Sequence, residues 1–228
     1  MKLAGTGHDV KVANSRGPDT IDAAALSTGA RAVRREEVVN DVEVLILSIP
    51  FAAIPALTPL LGDLPVETVV IDTSNYIAAR DDRIEAIENG KTDSVWVTEQ
   101  LGRPIAKAWN SIYSVTLQEM GLPAGHPDRI AAPIAADRAR DREVTMALVE
   151  ETGFDAFDTG PIAESCGSSA ARLPIAPRSR WPSCRRHWQR PIWQDRADGP
   201  TWPSRSMASG SPLVRTPAGI SLFSFPDY

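Results

Sequence analysis

KVANSRGPDT, at residues 11–20, joins a short apolar strand to a tight polar turn. The apolar Val10, Val12 and Ala13 predict a strand that is buried in a sheet. The next residues, NSRGP at 14–18, favour a turn, because Gly and Pro interrupt regular structure and Asn supports tight turns. A strand that ends in Ser-Arg suits a phosphate group, since guanidinium and hydroxyl groups both donate hydrogen bonds to phosphate oxygens. The stretch therefore predicts one strand of a nucleotide-binding α/β unit.

Strand-like and helix-like segments alternate through the first three-quarters of the chain. VEVLILSIP (42–50) and ETVVIDTSN (67–75) are apolar runs typical of strands buried on both faces of a parallel sheet. Further strands are predicted around residues 103–110, 129–136 and 154–161, and helices at 19–28, 51–61, 111–120 and 138–152. This alternation predicts an α/β fold, a Rossmann-like and mostly parallel sheet with helices on both faces.

The composition argues against several classes of protein. The net charge of −5 disfavours nucleic acid or an anionic membrane as a partner, and no apolar run is long enough to span a bilayer. The start, MKLAGTGHDV, has no cleavable signal pattern, so we expect a soluble, cytoplasmic protein. No metal site is expected, because the spacing of the cysteines and histidines offers no ligand set: Cys166, Cys184, His8, His126 and His187.

The character of the chain changes after Ser165. Residues 166–228 contain no Lys and no Glu, but nine Arg, nine Pro and four of the six Trp. They show no sustained period of a helix or a strand, which predicts an irregular tail. We therefore expect an incomplete dinucleotide-binding domain at residues 1–165 and an irregular segment at 166–228.

Five motifs, taken together and in order, resemble the coenzyme F420-dependent NADP oxidoreductase family: GHDVKVANSRGP, LILSIPFAAIP, VIDTSNY, AKAWN and ALVEETGFDAFDTGPIAES. The resemblance covers residues 1–165. It implies a Rossmann domain that binds NADP and moves a hydride to or from a flat redox acceptor, either deazaflavin F420 or a flavin-like molecule. A non-enzymatic NADP-binding sensor, or an inactive remnant on the same fold, is the alternative. Relatives often form homodimers through the region that the tail replaces, so the oligomeric state stays open.

The chain departs from the family pattern at both ends. Relatives begin with a strand and a G-x-G-x-x-G turn that holds the pyrophosphate, whereas Met1 here falls late in the following helix. The Gly5-Thr6-Gly7 run belongs to the turn before the second strand. Either the true start of the protein lies upstream, or the sheet has a gap at its first, central strand. For the chain as printed we expect weak or absent NADP affinity. The tail, beginning CGSSAARLPIAP, matches what one lost base in a family-like WRQQ-x-GSPAYCT would encode, which suggests a frameshift.

The best cofactor-binding candidates are Asn14, Ser15 and Arg16. Ser15 and Arg16 would bind the 2′-phosphate of NADP, and no acidic residue stands there to hold the ribose of NAD. Asn14 would shape the turn. The alternative is an exposed turn that carries an ordinary Arg.

Two further groups follow predicted strands. Ser48, Ile49 and Pro50 end a strand that resembles the one beside the nicotinamide-side phosphates, although Pro50 is also a simple strand terminator. Ser74 and Asn75 are placed to contact nicotinamide or substrate, but the D-T-S-N run is equally good turn chemistry.

The catalytic residues are not identified by the sequence. Lys107 and Asn110, in AKAWN, are weak candidates that would polarise or orient the nicotinamide carboxamide or the acceptor. Hydride transfer in the family needs no protein acid at the reacting carbon, so neither residue is required as one. Trp109 between them is expected to pack.

Overall fold

The computed structural model describes residues 2–167 and 219–224 of the chain. Within these residues one sheet contains the strands β1 (Asp9–Ala13), β2 (Arg31–Ala32), β3 (Val44–Ser48), β4 (Val69–Asp72), β5 (Ala106–Lys107), β6 (Ala131–Ala136), β7 (Asp155–Asp158) and β8 (Gly219–Ser224). Their spatial order is β2-β1-β8-β3-β4-β5-β6-β7. All neighbouring pairs are parallel except β5 with β6. The predicted α/β fold with a mostly parallel sheet is confirmed.

The first helix precedes β1, the other helices lie between strands along the chain, and together the helices cover the two faces of the sheet. They are α1 (Lys2–Gly5), α2 (Ala23–Leu26), α3 (Thr58–Leu61), α4 (Ala78–Asp81), α5 (Glu85–Glu88), α6 (Asp93–Leu101), α7 (Ser114–Glu119) and α8 (Ala139–Glu151). Short 3₁₀ helices span Pro18–Thr20, Phe51–Leu57 and Ile162–Gly167. Within the described parts of the chain, no helix has both the length and the apolar character needed to cross a bilayer.

The helix predicted at 51–61 is interrupted. Phe51–Leu57 is a 3₁₀ helix with Pro55 inside it, and the α-helical turn α3 begins only at Thr58. Proline has no N–H to donate, and its ring clashes with the carbonyl four residues earlier, so Pro55 disfavours a regular α-helix through this segment.

The centre of the sheet differs from the sequence-based expectation. A gap between β1 and β3 was one of the two expected alternatives, but in the structure this position is filled by β8, which pairs in parallel with both neighbours. The prediction of an irregular tail is therefore wrong for residues 219–224. The signal was a short alternation of apolar and small residues, GISLFS, which is too brief to separate from the Pro-rich and Arg-rich sequence before it. The rest of the proposed out-of-frame segment, residues 168–218 and 225–228, lies outside the described residues.

Apolar side chains fill both faces of the central strands. In β3, Val44 and Ile46 join the core cluster on one face, and Leu45 and Leu47 join the cluster on the other. Successive side chains of a strand point to opposite faces of the sheet, so a strand that is apolar at successive positions is buried on both faces. Helix α8 covers the first face with Val144 and Leu148, and the 3₁₀ helix at 51–57 together with α6 covers the second.

Candidate active site at the carboxyl edge of the sheet

The predicted site residues lie at one edge of the sheet. Strands β1, β8, β3, β4 and β5 are mutually parallel along the sheet, so their carboxyl ends meet at the same edge, here called the carboxyl edge. Ligands of open α/β sheets bind in the crevice outside these ends. The residues placed there are those at 14–16, 48–50, 74–75 and 108–110.

The turn after β1 is organised by Asn14. This side chain is buried, and its Oδ1 accepts hydrogen bonds from the backbone N–H groups of Arg16 and Gly17, at 2.9 Å each. Its Nδ2 donates to Thr20 Oγ1 at 2.9 Å. Asn14 therefore shapes the turn, as its type predicts. Thr20 was missed by the sequence reasoning, and its only signal was its place at the end of the G-P-D-T run.

Ser15 and Arg16 are exposed at the tip of this turn. In the part of the chain that the structure describes, the Arg16 guanidinium forms no ion pair. An arginine on a turn whose backbone is already fixed is well suited to bind an anion, because little ordering is lost on binding.

The turn after β3 is anchored by an aromatic cluster of Phe51, Tyr76 and Trp96. Ser48 is half-buried and lies opposite Ser224 of β8, while Ile49 is buried. Phe51, which follows Pro50, is fully buried and stacks on Trp96 with ring centroids 4.9 Å apart. This packing fixes the direction in which the chain leaves the sheet.

A buried ion pair joins β4 to β5. Lys107 Nζ lies 2.7 Å from Asp72 Oδ2, and the exposed fractions of the two side chains are 1% and 0%. Lys107 also donates to the backbone carbonyl of Ser74, while Asp72 Oδ1 accepts from the backbone N–H and the hydroxyl of Ser74, at 2.9 and 2.7 Å. The ammonium is thus enclosed by protein oxygens. This arrangement favours a positioning role for Lys107 over proton exchange with a ligand.

Asn75 and Asn110 form an amide pair at the same edge. Asn75 Nδ2 donates to the carbonyl of Asn110 at 2.7 Å, and Asn110 Nδ2 donates to Asn75 Oδ1 at 3.1 Å. Arg80 Nη2 binds the carbonyl of Asn75 at 2.7 Å. Arg80 was missed by the sequence reasoning, because its contact depends on the turn between β4 and α4. The structure therefore brings together the predicted residues Asn75, which is half-buried, and Asn110, which is buried.

Trp109 turns the chain between Lys107 and Asn110. Its φ of 57° places it in the left-handed region, which is costly for a bulky residue. The ring is 7% exposed, and its Nε1 donates to Thr152 Oγ1 at 3.2 Å. The indole packing against the α8 end holds the strained backbone and aims Asn110 at Asn75. Trp109 is thus buried, as predicted.

Known proteins resemble parts of this chain. Residues 1–76 match the family model described as NADP oxidoreductase, coenzyme F420-dependent. A 44-residue segment is 48% identical to protein YjhV of Escherichia coli (strain K12) and covers 19% of this chain and 32% of that protein. The chain therefore matches about a third of the length of this curated relative.

Two solved structures share the fold at low sequence identity. SMa0349, a hypothetical protein from Sinorhizobium meliloti, is 22% identical with a TM-score of 0.60, and the match covers 72% of this chain and 81% of that one. The "putative F420 dependent NADP-reductase" from Arthrobacter sp. FB24 is 16% identical with a TM-score of 0.57, covering 73% and 80%. With the sheet topology and the family match at residues 1–76, the resemblance of this chain to the coenzyme F420-dependent NADP oxidoreductases is confirmed.

Proposed function

We propose that this protein is an NADP-dependent oxidoreductase scaffold that moves a hydride between NADP(H) and a flat redox acceptor, a deazaflavin such as F420 or a flavin-like ring. One observation carries the proposal. The carboxyl edge presents the Ser15-Arg16 turn on one side of the central strand β8 and the Asn75–Asn110 amide pair on the other. The family match at residues 1–76 supports NADP as the cofactor.

The residues fit the adenosine end of NADP. Arg16 is exposed and has no ion-pair partner among the described residues, and the hydroxyl of Ser15 is exposed beside it. Their turn is fixed beforehand by the hydrogen bonds of Asn14. A guanidinium and a hydroxyl would together bind a 2′-phosphate with charge-assisted hydrogen bonds.

The pyrophosphate has a poorer fit. In a Rossmann domain the central strand leads into a glycine-rich turn whose N–H groups bind the pyrophosphate. The central strand here is β8, and the four residues after Ser224 are FPDY, which contain no glycine. We therefore expect weaker NADP binding than a complete glycine turn would provide.

At the nicotinamide end the protein would act mainly by orientation. The cofactor supplies the hydride when it is bound, and the protein holds two flat rings in register. The amides of Asn75 and Asn110 would orient the carboxamide. The buried Lys107–Asp72 pair would keep the ends of β4 and β5 at a fixed separation.

Arg16→Ala is expected to weaken NADPH binding by about tenfold or more and to leave NADH binding unchanged, because one charged hydrogen-bonding partner of the 2′-phosphate is lost. Titration of each purified variant with NADPH and NADH, followed by nucleotide fluorescence, measures both affinities. Arg140→Ala is the matched control. Arg140 is an exposed arginine in the first turn of α8, which begins after the end of β6, at the edge of the sheet opposite the carboxyl edge.

Equal losses for NADPH and NADH, or an equal loss in Arg140→Ala, would contradict the 2′-phosphate role of Arg16. The unmodified chain is expected to saturate only at high NADPH concentration. Tight, saturable binding would show that the pyrophosphate needs no glycine turn in this protein.

A non-enzymatic NADP sensor is the second candidate. It rests on the fold, because a Rossmann sheet hosts many roles and the enclosed Lys107 is not required for hydride transfer. An assay of hydride transfer from NADPH to F420 or a flavin distinguishes the two functions. Binding without transfer to any of these acceptors would favour the sensor.

A further inference from the structure

The strand β8 is held in a slot between two strands that do not pair with each other. Asp9 to Ala13 of β1 lie opposite Gly219 to Phe223, and Val44 to Ser48 of β3 lie opposite Ile220 to Ser224. In the strand order, β8 alone connects the β2-β1 half of the sheet to the β3–β7 half. The slot therefore offers two complete rows of backbone hydrogen-bonding groups to one extended segment.

The side chains of β8 match the slot on both faces. Ile220 is 1% exposed in one core cluster, with Leu222 packed against it, and Phe223 is 2% exposed in the other cluster. These positions alternate between the faces, as a doubly buried strand requires. An extended peptide with apolar residues at its second, fourth and fifth positions would fill the same volume.

The first position of β8 must be small. A Cβ added to Gly219 would lie 2.8 Å from the backbone carbonyl oxygen of Asp41, closer than packed atoms approach. The carbonyl of Gly219 also accepts a hydrogen bond from Glu43 N at 3.0 Å. The slot therefore restricts the first residue of the strand to glycine, as well as requiring apolar side chains farther along the strand.

The connection to β8 differs from that of the other central strands. Residues 168–218 separate β8 from Gly167, the last residue of the preceding described segment. The other parallel pairs of neighbouring strands are separated by fewer residues along the chain. Among the described strands, β8 thus lies farthest along the chain from the strands with which it pairs.

We propose that the slot between β1 and β3 is a strand-binding groove, that its ligand is this chain's own segment 219–224, and that the same peptide binds the groove in trans once the internal strand is disabled. Binding is β-augmentation within a sheet: backbone hydrogen bonds provide the affinity, and Gly219, Ile220, Leu222 and Phe223 provide the selectivity. Docking joins the half of the sheet that carries Arg16 to the half that carries Asn75 and Asn110.

Leu222→Pro in the full chain is the first test, because proline removes an N–H from the middle of a central strand. A fluorescein-labelled peptide of residues 217–224, PAGISLFS, is expected to bind this variant saturably, and to bind the unmodified chain at least tenfold more weakly because its groove is filled. Leu222→Ile is the control variant, and the same peptide with Pro in place of Leu is the control ligand. Equal peptide binding by all three proteins, or none by a Leu222→Pro variant that keeps its helical circular dichroism, overturns the proposal.

A second measurement avoids the case in which Leu222→Pro does not fold. Native-state hydrogen exchange of the unmodified chain is expected to show the amides of β8, β1 and β3 opening together, before those of β4. Rapid exchange in β8 while β1 and β3 stay protected would overturn the proposal. Light scattering identifies the donor: a monomer with protected β8 supports the chain's own segment, and a dimer that exchanges β8 between copies contradicts it.

Discussion

Lys107→Met is expected to lower the free energy of unfolding by about 3–5 kcal/mol, because it leaves the carboxylate of Asp72 buried without its cation. Asp72 is 0% exposed and retains only its hydrogen bonds from Ser74. In a chain of this size the loss corresponds to a fall in Tm of about 6–20 °C. Urea unfolding followed by circular dichroism measures the free energy directly.

Two controls distinguish the effect of leaving Asp72 buried without its cation from the effect of removing any positive charge. Arg31→Met removes the cation of the exposed Arg31–Asp9 pair, whose side chains are 55% and 56% exposed, and is expected to cost at most about 1 kcal/mol. The double variant Lys107→Met/Asp72→Asn, which removes both charges and keeps an acceptor for Ser74, is expected to be more stable than Lys107→Met. Additive losses in the double variant would show that the two groups are not coupled.

Phe51→Ala is expected to cost about 3–5 kcal/mol through lost apolar burial and the cavity left behind. The ring is fully buried between Trp96, at 4.9 Å, and Tyr76, at 5.6 Å between centroids. Because Phe51 directly follows Pro50, the cavity would also release the turn that carries Ser48 to the carboxyl edge. Urea unfolding gives the stability, and hydrogen exchange at residues 48–54 reports the turn.

Phe51→Leu and Val66→Ala are the matched controls. Leu keeps most of the buried volume, so a smaller cost of up to about 1.5 kcal/mol is expected. Val66 is 67% exposed, and its truncation should change stability by about 0.5 kcal/mol or less. A Phe51→Ala loss no larger than that of Val66→Ala would mean that the aromatic cluster does not hold this turn.

Six of the eight described strands were predicted from the sequence, whereas β2 and β8 were not. Runs such as VLILS in β3 and VVID in β4 are apolar at every or nearly every position, and their polar ends mark where each strand stops. The 3₁₀ helix at Phe51–Leu57 was not predicted, although Pro55 inside it is a sequence signal against a regular α-helix. Helix α8 formed as predicted, with apolar residues at helical spacing.

The candidate site was predictable as a set of strand ends but not as a set of contacts. Residues 14–16, 48–50, 74–75 and 107–110 lie at strand ends or just after them, and their meeting at one edge follows from parallel pairing. The enclosure of Lys107 by Asp72 and Ser74, and the pairing of Asn75 with Asn110, depend on atoms about 35 residues apart in the chain. No local pattern encodes such distances.

The sequence was sufficient for the class of fold, the alternation of elements and the polar turn at residues 14–18, because strand burial, turn chemistry and apolar periodicity are local properties of a chain. The identity of the central strand came from the tertiary structure alone. Segment 219–224 is placed there by two rows of backbone hydrogen bonds and two core faces that no other described segment fills. Partner choice among strands depends on what the assembled sheet leaves open, which is a property of the whole fold and not of six residues.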